Sequence, residues 1–212
     1  MFVIWISAAV ILSALLAVWF GYHQPNPGFY LFKPLTTVLI LTLALSGRNE
    51  VPIYGTLISA GLVFSILGDI FLMLPEDHFL AGVGSFLVTH VLYITAFSAG
   101  LSELFWEPAL PIFGLAALAI LMLSRYLGEM KLPVYFYISV ISVMAWTAWS
   151  RWMGAPGPDT LLAACGAVLF LFSDLILALN RFRGRFKTAQ ALNLLSYFVA
   201  QLLIAFSVAV LN

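Results

Sequence analysis

Eight long apolar runs fill most of the chain, at 2–20, 30–46, 52–74, 79–99, 109–124, 133–150, 160–179 and 188–211, and they leave few folds open. A run of about 20 apolar residues matches the roughly 30 Å hydrocarbon layer of a bilayer. In that layer every backbone N–H and C=O needs a partner inside the protein, so only helices and closed barrels cross it. The runs lack the alternation of barrel strands, which predicts an all-α membrane protein of eight transmembrane helices. Composition agrees, with 63% hydrophobic and 8% charged residues and a mean hydropathy of +1.08, against about 45–50% and about 25% in soluble domains. Eight spans of about 20 residues use about 160 positions and leave roughly 50 for loops and ends. No extramembrane domain fits. Residues 1–212 are therefore expected to form a single bundle, with function inside it or at its rim.

Nine Lys and Arg balance nine Asp and Glu, and without a basic stripe nucleic acid is not an expected partner. The single cysteine, Cys165, excludes an internal disulfide and any Cys-based metal site. The first run has no basic segment before it and leads into further spans, so it is expected to be a retained helix and not a cleaved signal. Orientation follows the basic residues. The loops after runs 1, 3, 5 and 7 contain Arg125, Lys131, Arg181, Arg183, Arg185 and Lys187, whereas those after runs 2, 4 and 6 contain only Arg48 and Arg151. This places Arg181 to Lys187 in the cytoplasm and both termini on the other side, in the inner membrane if the source is bacterial.

An internal repeat is readable. Setting 61-GLVFSILGDIFLML-74 on 166-GAVLFLFSDLILAL-179, an offset of 105, pairs Gly61 with Gly166, Val63 with Val168, Asp69 with Asp174, Leu72 with Leu177 and Leu74 with Leu179. The offset is almost half the chain. It predicts a 4+4 duplication with halves of about 1–105 and 106–212 and, four being even, the same orientation for both.

Asp69 and Asp174 carry the most information, because an ionisable group within a span is costly and marks a functional site by default. Both lie near the cytoplasmic ends of their spans, roughly 8 Å below the boundary at 1.5 Å per residue. If runs 3 and 7 pack together, the two carboxyls converge on one pocket. Two desolvated carboxyls held close do not both ionise easily, which makes an acid/base pair. The alternative is that each is structural, bonding a hydroxyl or a lysine of a neighbouring helix. Gly61, Ser65, Gly68 and Leu72 share one helical face, and the small side chains among them suit close packing. Lys33, in 30-YLFKPLTT-37, stands at the same depth; it either snorkels to the headgroups or holds an Asp anionic or receives a phosphate. His90 and Tyr93 in the fourth run, and Tyr197 and Gln201 in the eighth, must find partners at their depth, as a buried network or as a pocket lining. With Ser65 and Ser173 they complete the candidate substrate-binding set. Tyr135, Tyr137, Trp146 and Trp149 read as interfacial belt or packing residues, and His78 in 75-PEDH-78 as solvated.

Other chemistries find little support. There is no G-x-S-x-G elbow, and His23, His78 and His90 form no H-x-x-x-H pair for zinc. The segment 66-ILGD-69 partly resembles the G-x-G-D motif of intramembrane aspartyl proteases, but Ile66 replaces the first glycine and 108-PAL-110 lies between the two aspartates instead of after them.

The set 33-KPLTT-37, 61-GLVFSILGDIFLMLPEDHF-79, 82-GVGSFLVTHVLY-93 and 173-SDLILALNRF-182 resembles the YhhN family of eight-span membrane proteins, whose animal members are lysoplasmalogenases. The resemblance implies hydrolysis of the vinyl ether of a lysoplasmalogen to a fatty aldehyde and a glycerophospho-base. That activity suits the residues. Protonation of the alkenyl carbon gives an oxocarbenium ion that water captures, a division of labour met in glycoside cleavage by two carboxyl groups. One of Asp69 and Asp174 is expected to be the acid and the other the stabilising base, with Lys33 nearest the phosphate and His90 or Tyr197 positioning water or substrate. No metal or other cofactor is expected. The expected partners are a lysophospholipid substrate and membrane lipid, with no obligate protein partner. A lipid or small-solute transporter, or an intramembrane hydrolase of another type, are the alternatives.

Overall fold

The computed structural model describes residues 1–23, 26–47, 52–101 and 103–209. Arg48, used above for orientation, and the end of the eighth run beyond residue 209 lie outside them. The described residues form helices α1 (Phe2–Gly21), α2 (Pro27–Gly47), α3 (Pro52–Met73), α4 (Phe79–Ser98), α5 (Ala109–Leu123), α6 (Lys131–Gly154), α7 (Pro158–Ala178) and α8 (Ala189–Ala209). A single 3₁₀ turn, Gly128–Met130, leads into α6, and a π turn, Leu179–Arg183, extends α7. No strand occurs among the described residues.

Three helices open on proline, at Pro27, Pro52 and Pro158, where the missing N–H would have had no intrahelical partner. Thr160 Oγ1 accepts from the Gly157 amide at 3.0 Å and closes the start of α7. Seven of the helices are long and apolar enough to cross a membrane; the chain is a multi-pass membrane protein. Of the eight expected spans these seven are shown, and the run at 109–124 forms the shorter helix α5. Its 15 residues reach about 22 Å, short of the roughly 30 Å core. Arg151 was also expected in a loop but lies within α6. Its guanidinium stays in the helical bundle by lying 4.2 Å from the Tyr54 ring centroid and donating to the Ala96 carbonyl at 3.3 Å.

Helices α2, α3, α4, α6, α7 and α8 pack in that order, and α8 closes on both α2 and α3. Helix α1 lies outside on α2 and α8, and α5 outside on α6. The order within each half is the same, α1 on α2 on α3 on α4, and α5 on α6 on α7 on α8. Helices α3 and α7 are not neighbours; α8 packs on both. Close approach depends on the paired glycines. A side chain at Gly61 would collide with the Tyr93 ring of α4, and one at Gly166 would stand 2.7 Å from Ile204 and 2.8 Å from the Ala200 carbonyl of α8. Each buried face is one helical stripe. On α2 it runs Phe29, Lys33, Thr36, Thr37, Ile40, Leu43, Ala44, so the apolar periodicity that packs the helix also turns Lys33 and Thr37 inward.

Candidate active site

The turns joining α1 to α2, α3 to α4 and α7 to α8 lie at one end of the bundle, and the ionisable groups of α2, α3, α7 and α8 collect just inside it. Asp69, four residues before the end of α3, is 1% exposed. Its Oδ2 accepts from Thr37 Oγ1 of α2 at 2.7 Å and from the Tyr197 hydroxyl of α8 at 2.9 Å. Its Oδ1 lies 3.3 Å from Lys33 Nζ. Lys33 and Thr37 are one turn apart on the inward stripe of α2, which is why one carboxylate meets both. An ammonium and two hydroxyls all directed at one carboxyl complement an anion.

Asp174 heads a second cluster. Its Oδ2 accepts from the Tyr137 hydroxyl of α6 and stands 3.4 Å from His90 Nε2 of α4; His90 Nε2 and the Tyr137 hydroxyl are 2.9 Å apart. The two clusters are built alike. Each aspartate takes a hydroxyl from the preceding helix, Thr37 for Asp69 and Tyr137 for Asp174. Each also meets an aromatic side chain from the last helix of the other half, Tyr197 and His90 respectively.

Among the described residues the carboxyls share no hydrogen-bond partner. Aromatic rings stand between them: Phe170 lies 4.8 Å from His90 and 5.5 Å from Tyr197, centroid to centroid, and Phe86 lies 5.7 Å from Tyr197. Asp174 and Tyr137 also line a cavity of about 60 Å³ between α4, α5, α6 and α7, whose other walls include Phe86, Ala116, Ala119, Leu123, Val134 and Ile141.

The remaining sequence candidates divide. Tyr93, Gln201 and Ser65 form a chain one turn deeper than Asp69. Tyr93 donates to Gln201 Oε1 at 2.7 Å, Gln201 Nε2 donates to Ser65 Oγ at 2.7 Å, and Ser65 meets Thr89 at 3.1 Å. Ser173 is tied up elsewhere: its hydroxyl donates to the Asn193 carbonyl at 3.0 Å, and Asn193 Nδ2 returns to the Ser173 carbonyl at 2.9 Å, clasping α7 to α8. Sequence reasoning missed Thr37, and it placed Tyr137 among belt or packing residues, whereas the phenol bonds a buried carboxyl. His78 is half-buried at the start of α4, with Nε2 3.2 Å from Glu76. Outside the spans, Arg181 donates to Asp77 at 2.6 Å and holds that carboxyl below its ordinary range. No three His, Cys, Asp or Glu side chains come together as a metal site among the described residues.

The YhhN family model matches residues 28–208. The chain belongs to the YhhN family. It is 32% identical over 205 residues to the uncharacterized membrane protein YhhN of Escherichia coli O6:H1, covering 95% of this chain and 97% of that one. It is 32% identical over 208 residues to human lysoplasmalogenase TMEM86A, 96% of this chain and 78% of that one. It is 31% identical over 209 residues to rat lysoplasmalogenase TMEM86B, 96% and 83%. No solved structure matches the chain. Relatives named for ether-lipid hydrolysis thus align along almost its whole length.

Proposed function

We propose that this YhhN-family protein is a lysoplasmalogenase-type hydrolase that cleaves the vinyl ether of an alkenyl lysophospholipid, releasing a fatty aldehyde and a glycerophospho-base. The observation that carries the reading is the pair of carboxyls, Asp69 and Asp174, each enclosed by donors at the same end of the bundle. Vinyl ether hydrolysis needs an acid to protonate carbon, an anion beside the oxocarbenium ion and a base for water, and two carboxyls in different surroundings supply these. Lys33 stands as the counter-charge beside Asp69, Tyr197 and His90 orient the two carboxyls, and Ser65, Tyr93 and Gln201 form the buried support behind them. Ser173 acts through the α7–α8 clasp.

The fold is read here as two parallel four-helix repeats, with α5 as the shortened counterpart of α1 and the eighth crossing. Supporting this are the repeated packing order, the equivalent helix seats at Gly61 and Gly166, and the like construction of the aspartate clusters. The clusters face the cytoplasm, and both termini face away from it. Purified protein incubated with an alkenyl lysophospholipid should release aldehyde, detected by trapping with a hydrazine reagent; an acyl lysophospholipid should yield none. Absence of aldehyde from folded protein across headgroups and chain lengths would overturn the reading.

A further inference from the structure

We infer that Asp174, and not Asp69, protonates the alkenyl carbon, with Tyr137 and His90 as positioning residues, while the alkenyl end of the substrate's hydrocarbon chain lies in the apolar cavity between α4, α5, α6 and α7. The inference rests on the vinyl ether reading above. Three observations separate the two carboxyls.

Access comes first. Asp174 lines the cavity, whose other walls are almost all hydrocarbon and aromatic. Asp69, at 1% exposure, connects to that wall only through Tyr197 and Phe86. A hydrocarbon chain laid along Ala116, Ala119 and Ile141 brings its polar end to the one carboxyl in the lining.

The donor sets come second. Asp69 is met by an ammonium and two hydroxyls, a set that complements an anion beside an oxocarbenium ion and a base for the attacking water. Asp174 is met by a phenol and an imidazole nitrogen, both at Oδ2, and among the described residues Oδ1 has no partner.

The third is the capacity of the cluster to hold a proton in either of two arrangements. With Nε2 protonated, His90 donates to Tyr137 and Tyr137 to an ionised Asp174. With a proton added, Asp174 donates to Tyr137, Tyr137 to His90 Nε2, and the ring proton sits on Nδ1. The heavy atoms need not move. Nδ1 is fully buried and has no partner among the described residues, so neither tautomer is dictated by one of their contacts there.

The step balances. The O–H bond of Asp174 breaks, and the alkenyl π pair forms a C–H bond at the carbon distal to the ether oxygen, leaving an oxocarbenium ion. Water adds to that ion and loses a proton to Asp69. The hemiacetal collapses to aldehyde and the glycerol hydroxyl, and one proton passing from Asp69 back to Asp174 through solvent resets the site. One water is consumed.

Among the described residues the titratable groups around Asp174 are Tyr137 on α6, His90 on α4 and, beyond Phe170, Tyr197 on α8, with none on α5; Arg181 of the π turn is directed to Asp77 and the Phe79 ring. An acid must be protonated, so the loss of kcat at alkaline pH reports Asp174; a base must be ionised, so the loss at acid pH reports Asp69. The test uses the full chain in detergent with alkenyl lysophosphatidylethanolamines of two chain lengths, in H₂O and D₂O. Wild type should release aldehyde with one deuterium on the α-carbon; no aldehyde at all overturns the hydrolase reading itself. Given an active wild type, Tyr137→Phe should lower kcat about 10²-fold with little change in KM. It should also displace the alkaline limb, because Tyr137 is the donor to that carboxyl, and leave the acid limb in place. Ala119→Leu, which fills the cavity, should lower kcat/KM at least about tenfold on both chains. An unmoved alkaline limb with wild-type kcat in Tyr137→Phe would overturn the assignment to Asp174 while leaving the hydrolase standing. Unchanged kcat/KM in Ala119→Leu would remove the alkenyl end from the cavity.

Discussion

Replacing Lys33 by Met keeps a long side chain in the stripe of α2 and removes its charge. Lys33 and Asp69 have side chains 9% and 1% exposed and approach to 3.3 Å. At an effective dielectric of about 20 the attraction at that distance is about 5 kcal/mol. Removing one partner of a buried pair commonly costs about 3–5 kcal/mol, because a charge is left without its counterpart. Thr37 and Tyr197 still donate to Asp69, so the expected loss is at the lower end, about 3 kcal/mol. The Lys33→Met/Asp69→Asn double variant should recover most of it, since no buried charge then remains and the side-chain amide oxygen that replaces the carboxylate would still accept from both hydroxyls. Reversible unfolding in mixed micelles of wild type, both single variants and the double variant closes a mutant cycle. A double variant no more stable than Lys33→Met would refute the ion pair as the reason for the loss. Activity separates the two roles open to the cation. Loss of kcat assigns Lys33 to Asp69, whereas a raised KM with unchanged stability would assign it to the substrate phosphate.

Asp69→Asn and Asp174→Asn, which keep size and remove titration, should each lower aldehyde release about 10²–10⁴-fold in protein that remains folded; near-wild-type turnover in either would remove that carboxyl from the chemistry. At the rim, Arg181 holds Asp77 below its ordinary range, so the clasp is favoured above that range and is lost as pH falls through the lowered value. Amide exchange at His78 and Gly184 should accelerate on acidification, and Asp77→Asn should remove the dependence; overall stability should hardly move, since both side chains are exposed. A reporter fused after Asn212 should read as non-cytoplasmic and one inserted near Arg185 as cytoplasmic; the reverse pattern would turn the site to the other side of the membrane.

What hydropathy made legible is the set of residues whose presence in lipid has a cost. Lys33, Asp69, His90 and Asp174 stand out against apolar runs, and each is found in a buried or nearly buried polar cluster. Tyr137 was illegible for the opposite reason. A tyrosine six residues into a helix has the signature of an interfacial anchor, and its phenol reveals a role only when α4 and α7 are seen to flank it. A signal did exist: at the offset of 105, Tyr137 falls beside the position equivalent to Lys33, on the helix that precedes the aspartate in its own half. Thr37 was likewise within reach, one turn from Lys33 in the quoted 33-KPLTT-37. Arg151 lay at the edge of an apolar run, and hydropathy has no means to anticipate that the Tyr54 ring and a carbonyl would retain it in the helix. Ser173 shows the converse failure, since proximity to Asp174 in sequence says nothing about a side chain that turns to α8.

The distribution of polar groups along the bundle bears on hydrolysis against transport. A carrier of parallel repeats needs polar positions that continue from one side to the other. Here the network starts at Lys33 and Asp69 and extends one turn inward through Ser65, Thr89 and Gln201. Beyond that turn α2, α3, α4 and α8 present Leu43, Ile58, Leu62, Phe97 and Ile204, each with no exposed surface. Among the described residues the buried Ser59 hydroxyl is the exception in this layer and has no partner, and polar contacts between helices resume at the far end, where the Tyr54 hydroxyl meets Ser207 at 2.6 Å and Arg151 covers the Tyr54 ring. Those groups bond one another and hold helix ends together. A close-packed apolar layer resists water and charged solutes, and opening it would separate α3 from α4 at the Gly61 seat, where Tyr93 leaves no room for sliding. Buried ionisable groups gathered at one end of the bundle, with an apolar cavity beside one carboxyl, accord with the proposed hydrolysis of a lipid that enters and leaves by the same side and not with passage across the bundle.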